Sequence, residues 1–191
     1  TPPQVEIWVS NIDGTDAKNI LARPDISARW LDGSRLLVST SDKTLTTLEV
    51  VNVIDGSSFQ LGQWDNLRGL SIAPGGERIM FYQTFQPDAS ANAIYVLNTQ
   101  SGAQVQKLAW FGGWRWRDAG SLYYIPFDPV NGTQALHYYD LQTGEDRALT
   151  DPAALPFTIA NGDWSVSADG QRIAFQNAAD DRIWILAANT N

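Results

Sequence analysis

The sequence predicts an all-β chain assembled from repeated four-stranded units. Three observations carry this expectation: apolar and polar residues alternate in short runs, turn dipeptides punctuate the runs at even spacing, and no 3.6-residue apolar period persists. The clearest copy of the unit spans residues 164–186. There an alternating segment (Trp164, Val166) meets Asp169-Gly170, the apolar strand Ile173-Ala174-Phe175 follows, and a polar loop leads to a second apolar strand, Ile183 to Leu186. Asp-Gly between alternating runs is a strong hairpin signal, because such turns need backbone conformations that glycine adopts without strain.

The remaining elements follow from two interleaved series of turns. Asp13-Gly14, Asp55-Gly56, Ser101-Gly102 and Thr143-Gly144 recur every 42 to 46 residues, while Asp32-Gly33, Gly75-Gly76, Ala119-Gly120 and Asp169-Gly170 recur every 43 to 50. Each turn of the second series stands between an alternating strand and an apolar one: Leu36 to Ser39, Ile79 to Tyr82, Leu122 to Ile125, Ile173 to Phe175. Each turn of the first series follows a strand (Ile7-Trp8-Val9, Leu48 to Val51, Ile94 to Leu97, Leu136 to Tyr139) and precedes a shorter one (Ala17 to Leu21, Phe59-Gln60-Leu61, Gln104 to Leu108, Asp146 to Leu149).

Four short strands per period of this length point to β-propeller blades rather than to a sandwich. About four to five blades are expected in a single propeller region: a partial blade at 1–21, complete blades at 22–61, 62–108 and 109–149, and a partial blade at 150–191. An open propeller leaves strand edges unpaired. The expectation therefore includes further blades upstream in a larger ring, closure of a small ring by pairing of the termini, or closure through another chain.

Composition excludes several classes of function. Thirteen Lys and Arg against 21 Asp and Glu give a net charge of −8, which disfavours attraction to nucleic acid or anionic lipid. The absence of cysteine removes disulfides and thiolate metal sites. No apolar run approaches the roughly 18 residues of a membrane span, so the chain is not expected to be membrane-embedded. No signal-peptide pattern is visible, and Thr1-Pro2-Pro3 reads as a linker or a processed start.

Catalytic and metal motifs are weak. His137 is the single histidine, and any Ser-His-Asp site would have to use it. Alignment of the third strands instead puts His137 in the aromatic slot held by Trp8, Tyr95 and Trp184. No Gly-x-Ser-x-Gly elbow, His-Glu-x-x-His pair or phosphate-cradling glycine loop occurs. Covalent hydrolysis within this chain is not expected, nor is a cofactor. The Asp-rich stretch Asn11 to Asp16 and the pair Asp180-Asp181 invite a calcium reading, yet the spacing lacks the ligand pattern of a calcium loop. Asn131-Gly132-Thr133 satisfies the glycosylation triplet and reads more simply as loop.

The segment Trp110-Phe111-Gly112-Gly113-Trp114-Arg115-Trp116-Arg117 is richer in Trp and Arg than a blade crossover requires. It has two readings. In one, Trp114 and Trp116 alternate on an inner strand and fill the core between blades. In the other, Trp110, Phe111 and Arg115 stand at the channel mouth, where aromatic faces and a guanidinium grip a ligand. Trp64, Asp65 and Asp163, assigned to other blade linkers, are expected on that face. So are the long loops at 84–93 and 126–135, which Pro87, Pro126 and Pro129 stiffen.

Segments 7–21 (IWVSNIDGTDAKNIL), 94–108 (IYVLNTQSGAQVQKL) and 164–175 (WSVSADGQRIAF) resemble the WD40-like repeats of the periplasmic TolB protein and of prolyl-oligopeptidase-type propellers. The usual Ser-Pro-Asp-Gly turn of those repeats has become Ser167-Ala168-Asp169-Gly170, Ala73-Pro74-Gly75-Gly76 and Arg117-Asp118-Ala119-Gly120. The resemblance implies a noncatalytic binding module for a protein or peptide, outside the bacterial cytoplasm. Its alternatives are the gating propeller of a longer prolyl-oligopeptidase-like hydrolase and the sensor domain of a membrane receptor or kinase.

Overall fold

The computed structural model describes residues 3–130, 132, 134–154 and 157–188. Asn131 and Thr133 of the glycosylation triplet, and Thr1 and Pro2 of the proline-rich start, lie outside them. Among the described residues the regular structure is seventeen strands and one 3-10 turn, Ala89–Ala91, with no α-helix.

Each hairpin returns the chain beside the strand it left, so consecutive strands pair antiparallel in five meandering sheets. The first holds β1 (Val5–Val9) and β2 (Lys18–Arg23). The second holds β3 (Ile26–Trp30), β4 (Arg35–Asp42), β5 (Leu45–Asn52) and β6 (Ser58–Asp65). The third holds β7 (Leu67–Ile72), β8 (Arg78–Gln83), β9 (Ala93–Asn98) and β10 (Gln106–Lys107). The fourth holds β11 (Gly112–Trp116), β12 (Ser121–Pro126), β13 (His137–Asp140) and β14 (Asp146–Ala148), and the fifth β15 (Ile159–Val166), β16 (Arg172–Asn177) and β17 (Ile183–Ala187). Three four-stranded sheets flanked by two smaller ones is the blade pattern of a β-propeller, as the turn series predicted. The chain forms two compact units, residues 1–108 and 109–191.

Register repeats from sheet to sheet. Val38 faces Glu49, Phe81 faces Tyr95, Tyr124 faces His137 and Phe175 faces Trp184, so one position of the second strand always meets one position of the third. His137 thus occupies the slot of Tyr95 and Trp184. Because side chains alternate across a strand, a sheet with neighbours on both sides can offer an apolar face to each, as the second sheet does within the first unit.

In the first unit, Ile7, Val9, Ile20 and Leu21 of the first sheet pack on Leu36, Val38, Val51 and Val53 at the second. The opposite face of that second sheet, Leu37, Leu48 and Val50, packs on Ile79, Phe81 and Leu97 of the third. In the second unit, Tyr123, Leu136 and Tyr138 of the fourth sheet pack on Trp164, Ile173, Phe175 and Leu186 of the fifth.

Turn chemistry explains the punctuation. Gly14, Gly56, Gly102 and Gly144 all sit in the left-handed region, at φ between +73° and +82°, where a side chain is strained. In two of these turns the preceding Asp closes the loop: Asp13 Oδ1 accepts from the Thr15 amide and hydroxyl, and Asp55 Oδ1 from those of Ser57. That bonding gives the Asp-rich stretch at 11–16 a turn-forming role. Asp180 Oδ1 likewise accepts from the Arg182 amide. Among the described residues no three His, Cys, Asp or Glu side chains gather as a metal site would require.

In the second series, Asp32 Oδ1 accepts from the amides of Ser34 and Arg35 while Oδ2 takes Arg35 Nε at 2.6 Å. Burial pushes this carboxyl up, but the hydrogen bonds from Ser34 and Arg35 outweigh it and hold the pKa at about 2. The glycines of this series also let sheets approach. A Cβ on Gly76 would lie 2.0 Å from the Leu31 carbonyl oxygen, and one on Gly170 would lie 2.7 Å from that of Arg117. Leu31 and Arg117 each precede the turn aspartate of the neighbouring sheet within the same unit, so one junction is built twice.

Two outcomes are expected. Gly76→Ala should cost more than about 4 kcal/mol in urea unfolding, since backbone must move, whereas Gly14→Ala, with open space around it, should cost about 1 kcal/mol of left-handed strain. The Asp32 carboxyl lies below its ordinary 3.8, so its stabilisation is full above that pH and is lost as pH falls through about 2. Asp32→Asn should therefore lower the urea midpoint at neutral pH, with the difference from the parent protein vanishing near the bottom of that window.

Candidate functional site at the loop end of the fourth sheet

The Trp-Arg segment divides along its alternation. Trp114 is buried, and Trp116 on the same face of β11 is partly covered, as the core reading expects. Arg115 points to the other face and acts as a strut. Its Nε donates to the Trp164 carbonyl of β15 at 3.0 Å and its Nη1 to the Trp114 carbonyl at 2.8 Å, while its guanidinium sits 5.0 Å over the Trp164 ring.

The first unit builds the same strut. Arg29 of β3 donates to the Leu70 carbonyl of β7 at 3.0 Å. Arg29 opposes Leu37 and Arg115 opposes Tyr123, so the two arginines hold the same position in their sheets. Sequence reasoning missed Arg29. The signal was present as Arg29-Trp30 and Arg115-Trp116, standing two blade periods apart.

Trp110 is set into the sheet rather than held out from it. Its ring stacks on Tyr124 at 3.9 Å and meets the edge of Tyr139 at 5.7 Å. Its indole Nε1 is buried without a hydrogen-bond partner, so the ring stays for its stacking. Beneath it, Asp146 accepts from the Tyr124 hydroxyl and pairs with His137 Nδ1 at 2.8 Å. Burial, aided by the Asp146 carboxylate, raises the pKa of both Tyr124 and Tyr139. This makes a locked aromatic floor, with the lone histidine built into a strand.

Phe111 is the aromatic of the segment most open to solvent. It stands edge-on to Phe127 at 6.5 Å, and the Phe127 amide donates to its carbonyl at 2.8 Å. Phe111, just before β11, is 42% exposed; on the loop after β12, Phe127 between Pro126 and Pro129 is 68% exposed and Val130 86%. Asp128 closes that loop, accepting from the Val130 amide at 3.0 Å. The loop was expected on this face; Phe127, between Pro126 and Pro129, and Val130, just after Pro129, were not singled out, although apolar residues on a proline-stiffened loop are the pattern of a presented surface.

The other three candidates stand on strands, not on linkers. Trp64 and Asp65 end β6, where the ladder with β5 continues past a bulge to pair them with Thr46 and Leu45. Trp64 packs against Phe81 of the third sheet at 4.9 Å, and Asp65 accepts from the Thr44 hydroxyl. Asp163 lies in β15 and lines an open groove of about 410 Å³ with Ser165, Ala174, Gln176 and Ile183.

Successive four-stranded antiparallel meanders, packed face to face within each unit, are the blades of a β-propeller. No protein-family model matches the chain, and a search of curated proteins finds no match. Solved structures do. TolB from Acinetobacter baumannii is similar over 97% of this chain and 47% of its own, at 20% identity and a TM-score of 0.60. Oligogalacturonate lyase from Vibrio parahaemolyticus is similar over 96% of this chain and 57% of its own, at 13% identity and 0.67. Acylaminoacyl peptidase from Pyrococcus horikoshii is similar over 95% of this chain and 34% of its own, at 15% identity and 0.60.

The chain therefore spans about half the length of the TolB and lyase structures it matches. At such identities the likeness gives the fold, and at that level the predicted resemblance to TolB-type and peptidase propellers holds. No helix among the described residues is long and apolar enough to cross a membrane.

Arg115→Ala should leave the Trp164 carbonyl without its charged donor and cost about 2 kcal/mol in chemical denaturation. Phe127→Ala should stay within about 0.5 kcal/mol of the parent protein.

Proposed function

We propose that this chain is a noncatalytic binding module, a TolB-like propeller that takes a protein or peptide partner on the loop end of its fourth sheet. The observation that carries the reading is the exposed Phe111–Phe127 pair, held by a backbone hydrogen bond on a proline-flanked loop. Presenting two aromatic rings to water is unfavourable unless a partner covers them, and rigid presentation lowers the entropy lost on binding. Trp110 then serves as floor and Arg115 as strut to the fifth sheet. His137 fills the aromatic slot of β13 against the Tyr124 ring, which supports a structural role for it. The net charge of −8 argues against nucleic acid as the partner. A setting outside the cytoplasm rests on the TolB resemblance.

A second reading is the accessory propeller of a longer hydrolase, favoured by the likeness to an acylaminoacyl peptidase over 34% of that chain. The complete reading frame separates the two, since the hydrolase reading requires a catalytic domain in the same polypeptide.

Selection of displayed random peptides on the immobilised chain tests the binding reading. Enriched peptides should lose about 1 to 2 kcal/mol of affinity with Phe111→Ala or Phe127→Ala, as aromatic anchors do, with melting temperature unchanged. Peptides indifferent to both substitutions, or a hydrolytic rate abolished by His137→Ala, would contradict it.

A further inference from the structure

In every sheet whose following face is covered, the same register positions do the packing. Leu48 in the second sheet and Leu136 in the fourth are 0% exposed, sealed by the third and fifth sheets respectively. Ile7 of the first sheet, four residues before the turn asparagine Asn11 as Leu48 is before Asn52, packs on the second sheet. In the fifth sheet this position is Ile183. Ile183 and Ile185 are each 70% exposed; Ile183 lines the open groove with Asp163, Ser165, Ala174 and Gln176, and Ile185 stands beside Ala174 on the same face of the sheet.

Trp184 and Leu186 alternate to the opposite side, where Leu186 packs with the fourth sheet. The groove face is thus the one that, in the other sheets, receives the next sheet of a propeller.

The chain carries a complement to this face. Ile7 and Val9 of β1 point toward the second sheet, so Trp8 between them points the other way, and it is 57% exposed. Trp8 stands three residues before Asn11, as Tyr95 stands three before Asn98. In the third sheet Tyr95 packs into the cluster containing Leu48 and Val50. Trp8 is therefore the aromatic that this register presents to a preceding sheet.

We propose that the β15–β17 face of one copy, through Ile183 and Ile185, receives the β1–β2 face of a second copy, through Trp8, in head-to-tail association. The contact extends the sheet-on-sheet packing that each chain uses internally, and it is separate from the Phe111–Phe127 surface. Because the two faces differ, the contact is heterologous, and its product is a closed ring or a longer series.

Sedimentation velocity of the 191-residue chain over a wide concentration range tests this. The chain should associate reversibly, and Ile185→Glu or Trp8→Glu should each weaken association by about tenfold or more. Mixing the two variants should restore part of it, since each supplies the face the other lacks. Ile54→Glu, on an exposed turn tip, should change nothing, and Ile183→Gln is the milder substitution should Ile185→Glu fail to fold. A chain monomeric throughout would overturn the proposal and give the face to another occupant, a further sheet of the same polypeptide or a foreign strand. Association untouched by both variants would overturn it as well.

Discussion

A β-sheet that is apolar on both faces cannot stand alone in water, and that constraint governs this molecule. Along β4, Leu37 belongs to one core cluster while Leu36 and Val38 belong to another, so the second sheet is sandwiched between its neighbours. Sheets this small bury too little by themselves; stacking joins their faces into continuous cores. Apolar packing is permissive about exact placement, and the polar junctions supply the missing specificity. Gly76 against the Leu31 carbonyl and Arg29 on the Leu70 carbonyl fix one pair of sheets. Gly170 against Arg117 and Arg115 on Trp164 fix another in the same way.

Once the sheets are fixed, their loop ends are available for recognition. The fourth sheet illustrates the division of labour within a single short segment. Trp114 fills core, Arg115 braces the fifth sheet, Trp110 locks onto Tyr124, and Phe111 turns its ring to solvent beside Phe127. The two readings of this segment were not exclusive, because alternation sends neighbouring residues to different environments. A surface borne on so rigid a support recognises its partner with little reorganisation.

Period and turn positions were legible because glycine at positive φ and an aspartate closing the turn leave a local signature, as at Asp13-Gly14 and Asp55-Gly56. The slot of His137 was legible for a related reason, since register transmits the turn spacing to the middle of the strand. Arg115 was not. A cation beside tryptophans reads as a surface group, and its true acceptors, the carbonyls of Trp164 and Trp114, carry no side-chain signal. Trp64 and Asp65 were misplaced because a bulge between Leu48 and Glu49 carries β6 past Gly62, lengthening a strand that the pattern ended at Leu61. Asp163 was misplaced similarly: the irregular register between Ile159 and Trp164 hides the start of β15.

Sheets within a unit are not independent but fold as a stack. Native-state hydrogen exchange in rising denaturant measures this directly, because it resolves the opening free energy of each strand. In the first unit, amides of β4 and β5 in the second sheet and of β8 and β9 in the third should converge on one isotherm, opening together. Distinct isotherms, with the second sheet opening while the third stays closed, would contradict the account.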